Sequence, residues 1–140
     1  TEIFMALKTR LTDLLKVQHP IMLAGMGGVS YAEVCAAMCN AGGYGVLGMA
    51  GTSPAFIAGQ MKRVRELTGK PFGVDLLAAS PESLEESVDV IIKGGADSFV
   101  AGLGVPLPIM DRLKSAGVKV MVVGGAVKHA VKAEEAGCDA

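Results

Sequence analysis

The stretch Pro20-Ile-Met-Leu-Ala-Gly-Met-Gly-Gly28 holds the residues best suited to chemistry. A short apolar run is the pattern of a strand buried on both faces, and proline is tolerated at a strand's first residue. The run ends in Gly25, Met26, Gly27 and Gly28, just before Ser30 opens a helical pattern. Glycines between a strand and a helix let a flat ligand approach the backbone closely. The stretch therefore reads as the opening strand of a β/α barrel with a cofactor edge at Gly25 to Gly28, or as a strand followed by an ordinary glycine turn.

The other reactive side chains have simpler readings. Cys35 and Cys39 lie four apart on an expected helix and share a face; with Cys138 they make three cysteines. They read as small apolar core residues in a reducing cytosol. A metal pair needs further Cys or His at ligand spacing, and no such set is present, so no metal is expected. His19 stands before Pro20 and reads as structural. His129 and Lys132 fall on the solvent side of an expected helix. Met26, Met49 and Met110 suit core packing better than a ligand pocket. Asp97 and Asp139 each follow a helix-ending glycine by two residues and precede a strand, which puts them on a barrel's stability face.

These residues must be positioned by alternating strands and helices. Met5 to Val17 reads as a short amphipathic helix, with Leu7, Leu11, Leu14 and Leu15 on one side, able to plug a barrel's bottom. Ser30 and Glu33 have capping-box spacing for a helix over 31–40, which glycines at 42 and 43 end. Strands are expected at 44–49, 71–77, 97–101 and 118–123, and a strand start at 138–140. Between them, Ser53-Pro54 opens a helix to about Leu67, and Ser80-Pro81-Glu82-Ser83 caps one ending at Gly94-Gly95. Further helices end at Gly117 and Gly137. The chain is thus one α/β domain over residues 1–140, with five β/α units and the start of a sixth strand. A closed (β/α)8 barrel takes about 250 residues, so a piece of something longer is expected. An open doubly wound sheet needs only five strands, and spacing does not choose between the two.

Composition narrows the classes. The 140 residues are 51% hydrophobic, with 19 glycines, no Trp and a formal net charge of -1. Interspersed charge argues against a nucleic-acid or anionic-membrane partner. No apolar run reaches the roughly 20 residues that span a bilayer, and no signal peptide is visible. A cytoplasmic protein acting on a small molecule is expected.

Four stretches together resemble the nitronate monooxygenase family, which includes closely similar FMN-dependent enoyl-acyl-carrier-protein reductases and NADH-dependent flavin reductases. They are His19 to Gly28, Asn40 to Gly48, Lys70 to Asp75 and Ala126 to Ala140. The resemblance implies the N-terminal portion of an FMN-binding TIM barrel. It implies an oxidoreductase that oxidises alkyl nitronates with O2, or a flavin-dependent enoyl-thioester or NAD(P)H reductase. By the same resemblance Ala24, Gly25, Met26 and Gly27 lie against the flavin ring, and so does Asp75. The family usually has Asn at the latter position. Asn offers a donor and an acceptor, whereas ionised Asp only accepts. A simpler role for Asp75 is a strand-end carboxylate binding a neighbouring amide. Some members carry a Lys where this chain has Val123. The family's general-base His and phosphate-gripping loops follow the sixth strand, so no catalytic residue is assigned within 1–140. From a different class, a half-barrel with open strand edges and an apolar inner face would be an inactive, self-associating homo-oligomer.

Overall fold

The computed structural model describes residues 7–79 and 81–140. Its helices are α1 (Arg10–Leu15), α2 (Ala32–Asn40), α3 (Pro54–Leu67), α4 (Pro81–Lys93), α5 (Met110–Ser115) and α6 (Val127–Glu135). Its strands are β1 (Gly45–Gly48), β2 (Phe72–Leu77), β3 (Ser98–Gly102) and β4 (Lys119–Val122). All pairings are parallel, and the sheet order is β1-β2-β3-β4. Strands added one after another on the same edge give the winding of a barrel. A doubly wound sheet would reverse its order at a switch point, and this one does not.

Two flanking segments extend the same winding. The expected first strand is reduced to one bridge, Met22 to Tyr44, with Leu23 donating to Tyr44 O and Tyr44 donating to Ile21 O. Pro20 brings no donor, and the chain bends away at Gly25, so the ladder stays short. At the other edge Asp139 N donates to Val120 O, where a further strand was expected to start.

Period-2 alternation gives the strands two faces. Leu47, Val74, Leu76, Phe99, Ala101 and Val120 face outward and share one core with the helices. Tyr44, Val46, Val100 and Met121 face inward and pack with Leu15 of α1; Leu11, Leu14 and Val17 complete the cluster. Helix α1 is therefore the bottom plug that its leucines suggested. Fully burying a Leu or Val contributes roughly 1.5–3 kcal/mol. The helix is shorter than expected, because the Thr9–Thr12 capping box starts it and left-handed Lys16 (φ 54°) stops it. Leu7 lies outside it and is exposed; Met5 falls outside the described residues.

Polar groups tie the bottom together. The Tyr44 ring crosses Gly73, where a Cβ would stand 3.2 Å from Cε1, and its hydroxyl meets the buried Ser98 hydroxyl at 2.7 Å. Burial pushes the Tyr44 hydroxyl pKa up. Asp97 accepts from Phe72 N (3.0 Å) and pairs with Arg65 (3.1 Å). Asp139 repeats the device with Val120 N (2.8 Å) and Lys114 (3.2 Å). Each carboxylate closes the start of the preceding strand, the structural role expected for both.

Most helix limits follow their local signals. Ser53 accepts from Phe56 N and Pro54 opens α3. Glycines at 42, 95, 117 and 137, all at positive φ, follow α2, α4, α5 and α6. Ser80, expected to cap α4, lies outside the described residues. Cys35 and Cys39 are fully buried, and Cys39 Sγ donates to Pro71 O at 3.3 Å. The neighbouring Cys39 sulfur, then burial, pushes the Cys35 thiol up. Both are core residues, as their spacing suggested, and so are Met49 and Met110.

Candidate functional site

The bend after Leu23 carries residues 24–28 over the C-terminal ends of β1 and β2. Two missing side chains make this possible. A Cβ at Gly25 would fall on the Asp75 side chain, 2.8 Å from Oδ2. A Cβ at Gly48 would stand 2.6 Å from the Met26 carbonyl oxygen. Gly48 and Asp75 are register partners, so the turn lies across the pair. These are close approaches that only glycine allows.

Ser30 fixes the turn from the far side. It was expected to cap α2, but Tyr31 occupies that position without a side-chain cap. The Ser30 hydroxyl instead accepts from Met26 N at 2.7 Å and donates to Met26 O at 3.1 Å. Fully buried, it does more by closing the glycine turn than by capping, and Gln60 Oε1 accepts from Ala32 N in its place. Consequently the Met26 amide is spoken for. The amides of Ala24, Gly25 and Gly27 have no acceptor among the described residues.

Below the turn lies a cleft of about 640 Å³, with Met22, Leu77, Val100, Leu103 and Val123 among its walls. Ala24, Gly25 and Asp75 line it as well. Of the expected site residues, then, Ala24, Gly25 and Asp75 are brought to one cleft. Met26 and Gly27 sit on its exposed shoulder; Met26 is 40% exposed, and not the core residue it was expected to be, because the turn carries it over the rim and away from the packed faces of the sheet.

Among the described residues that line the cleft, Asp75 alone has an ionisable side chain. Its residue is 9% exposed, and its carboxyl makes no hydrogen bond to another described residue. The strand-end role, binding a neighbouring amide, is therefore not what its surroundings show. Burial alone raises its pKa to about 6. A carboxyl that burial makes easier to protonate, set in an apolar cleft, is an unusual placement, and such groups gather where ligands bind.

Beside this cleft, a smaller one of about 360 Å³ runs between Leu103 and α6, with His129 and Lys132 at its margin. Both side chains are exposed, as expected. Among the described residues there is no group of His, Cys, Asp and Glu arranged to hold a metal. No helix among them is long and apolar enough to cross a membrane.

Sequence reasoning missed Gly48 and Ser30. Gly48 ends the Gly-Tyr-Gly-Val-Leu-Gly run on the same face as Tyr44 and Val46, and nothing within the run points to the turn that crosses it. Ser30 follows Met26 by four residues, the reach of a side chain that closes a turn on itself.

Similarity to known proteins agrees with this arrangement. A family model described as nitronate monooxygenase matches residues 8–93. A Mycobacterium tuberculosis protein, (3aS,4S,5R,7aS)-5-hydroxy-7a-methyl-1-oxo-octahydro-1H-indene-4-carboxyl-CoA dehydrogenase, is 36% identical over 97% of this chain and 38% of its own. A probable nitronate monooxygenase of Staphylococcus aureus (strain Newman) is 30% identical over 95% of this chain and 47% of its own. The structure of FabK from Thermotoga maritima superposes with a TM-score of 0.89 at 34% identity, over 95% of this chain and 42% of that one. The chain thus spans less than half the length of these relatives. With residues 8–93 matched, a barrel-wound parallel sheet and a glycine turn seated on its rim, the chain belongs to the nitronate monooxygenase family.

Proposed function

We propose that the protein is an FMN-dependent oxidoreductase whose flavin ring lies in the cleft beside Gly25 and Asp75. The observation that carries this reading is the meeting of the 24–28 turn with Asp75 at the rim of an apolar cleft. A planar ring needs a surface free of protruding side chains, and Gly25 and Gly48 remove them where the turn crosses the sheet. It also needs polar partners at its edge. The amides of Ala24, Gly25 and Gly27 have no acceptor among the described residues and can donate, and Asp75 lies directly against Gly25.

When bound, FMN supplies the electron-accepting centre. The chain's own part is to seat the ring, exclude water from one side with Leu77, Val100 and Val123, and set the charge at its edge through Asp75. The substrate supported by the family match is an alkyl nitronate, oxidised with O2. A second reading, an acyl or enoyl thioester, is supported by the 36% identity to a protein named as a carboxyl-CoA dehydrogenase.

Absorbance of the purified full-length protein, with chromatography of the released chromophore, tests the cofactor. A yellow protein that releases FMN is expected. A colourless protein that takes up no added FMN would overturn the reading. Oxygen uptake on adding a nitronate is expected next. NADH consumption with no oxygen uptake on nitronate addition would overturn the nitronate and leave the thioester.

A further inference from the structure

We propose that Asp75 holds the flavin as a neutral carboxylic acid, so that flavin binding takes up a proton. This rests on the reading that the cleft seats the flavin ring. The imide edge of the ring presents one N–H donor between two carbonyl acceptors. An ionised carboxylate offers acceptors only. One of its oxygens can take the ring N–H, but the other is left against a carbonyl oxygen. A neutral carboxyl has one donor and one acceptor and can satisfy both neighbours, as an amide would.

The surroundings favour the neutral form. The carboxyl is wedged against Gly25 and opposite Gly48, and neither residue brings a side chain. Its inner-face neighbour on β3 is Val100, and Met121 follows on β4. The other titratable groups on the inner face are Tyr44, whose ring lies beside Gly73, and Lys119, level with Ser98. Both stand nearer the plugged end. Neither contributes to the shift, which comes from burial alone. The turn of residues 24–28 carries no ionisable side chain, and His129 and Lys132 open on the adjacent cleft. Among the described residues, no cation therefore compensates a carboxylate here. A ring laid over the cleft removes the remaining water and raises the cost of the charge further.

Calorimetric titration of the full-length, flavin-free protein with FMN is the test, run at pH 7.5 in two buffers of different ionisation enthalpy. The buffer dependence of the heat counts the protons. The FMN phosphate has its own protonation change, so the Asp75→Asn protein serves as the reference. Wild type should take up close to one proton more than the variant. Its affinity should fall about tenfold per pH unit above neutrality, with a flatter profile for Asp75→Asn. Equal proton counts in two proteins that both bind FMN would overturn this proposal alone. So would a wild-type affinity that is independent of pH between 7 and 8. A full-length protein that binds no FMN at any pH would overturn the functional reading and this proposal with it.

Discussion

The inner face of the sheet is finished in opposite ways at its two ends. At the bottom, Tyr44 and Val46 meet the α1 leucines under Val100 and Met121, which stand level with Asp75, and the buried polar link from Tyr44 to Ser98 is closed on itself. At the rim, Gly25 and Gly48 bring no side chains, Asp75 makes no hydrogen bond to another described residue, and the amides of Ala24, Gly25 and Gly27 have no acceptor among the described residues. The bottom spends its residues on volume and the rim spends them on room. Barrel folds in general keep stability and chemistry at opposite ends of the strands. Here the division reaches single residues: Gly73 makes way for the Tyr44 ring, whereas Gly48 makes way for a turn of backbone.

The sharpest test of that division is Tyr44→Ala. Removing a buried aromatic from a packed cluster costs about 3–4 kcal/mol, since little nearby can collapse into the space. Denaturant unfolding should show that loss, while the FMN affinity of the molecules still folded changes by less than about twofold. Loss of FMN binding with little loss of stability would break the comparison. Gly48→Ala should act at the other end. Its methyl meets the Met26 backbone rather than a flexible side chain, so the turn must move, at about 2–3 kcal/mol. FMN affinity should drop by more than about tenfold, because the turn is the seat. Gly27→Ala is the control. A Cβ there has nothing within 4 Å, so stability should stay within about 0.5 kcal/mol.

Tyr44→Phe sharpens the polar side of the bottom. It keeps the ring and leaves the buried Ser98 hydroxyl without its 2.7 Å partner. The expected cost is about 1–2 kcal/mol. Ser98→Ala in the same background should return part of it, since the stranded group is then gone. A Tyr44→Phe protein as stable as wild type would mean that the link contributes nothing.

The bottom was far more legible in the sequence than the rim. Leucine spacing announced the α1 plug, and Ser53-Pro54, Gly42, Gly95 and Gly137 announced helix limits, because these signals are local. The aspartates at 97 and 139 were also readable, since each stands two residues after a helix-ending glycine and just before a strand. Ser30 misled because the same residue type caps helices and closes turns, and only the Met26 backbone distinguishes the two. The first strand misled because an apolar run says nothing about whether a partner continues. Gly48 was silent because its reason lies over twenty residues away, in a turn that local pattern cannot place. Asp75 could be located at a strand end, but its lack of a partner is a property of the assembled cleft.

Apart from the Gly27→Ala control, the smallest expected effect is the pH dependence that Asp75 brings to stability. The ordinary aspartate pKa is about 3.9. Folding raises that of Asp75 to about 6, so the folded protein binds more protons than the unfolded chain between those values. Stability therefore falls as pH rises through that window and is level above it. A full shift of about two units would correspond to about 3 kcal/mol. The carboxyl borders an open cleft, and water there reduces the figure to about 1 kcal/mol. Asp75→Asn keeps the shape and removes the titration. Its unfolding free energy should match wild type near pH 4 and exceed it by about 1 kcal/mol at pH 7.5. A variant less stable than wild type at pH 7.5 would mean that the carboxylate has a partner in the rim after all. The contrast between a closed bottom and an open rim would then lose its main support.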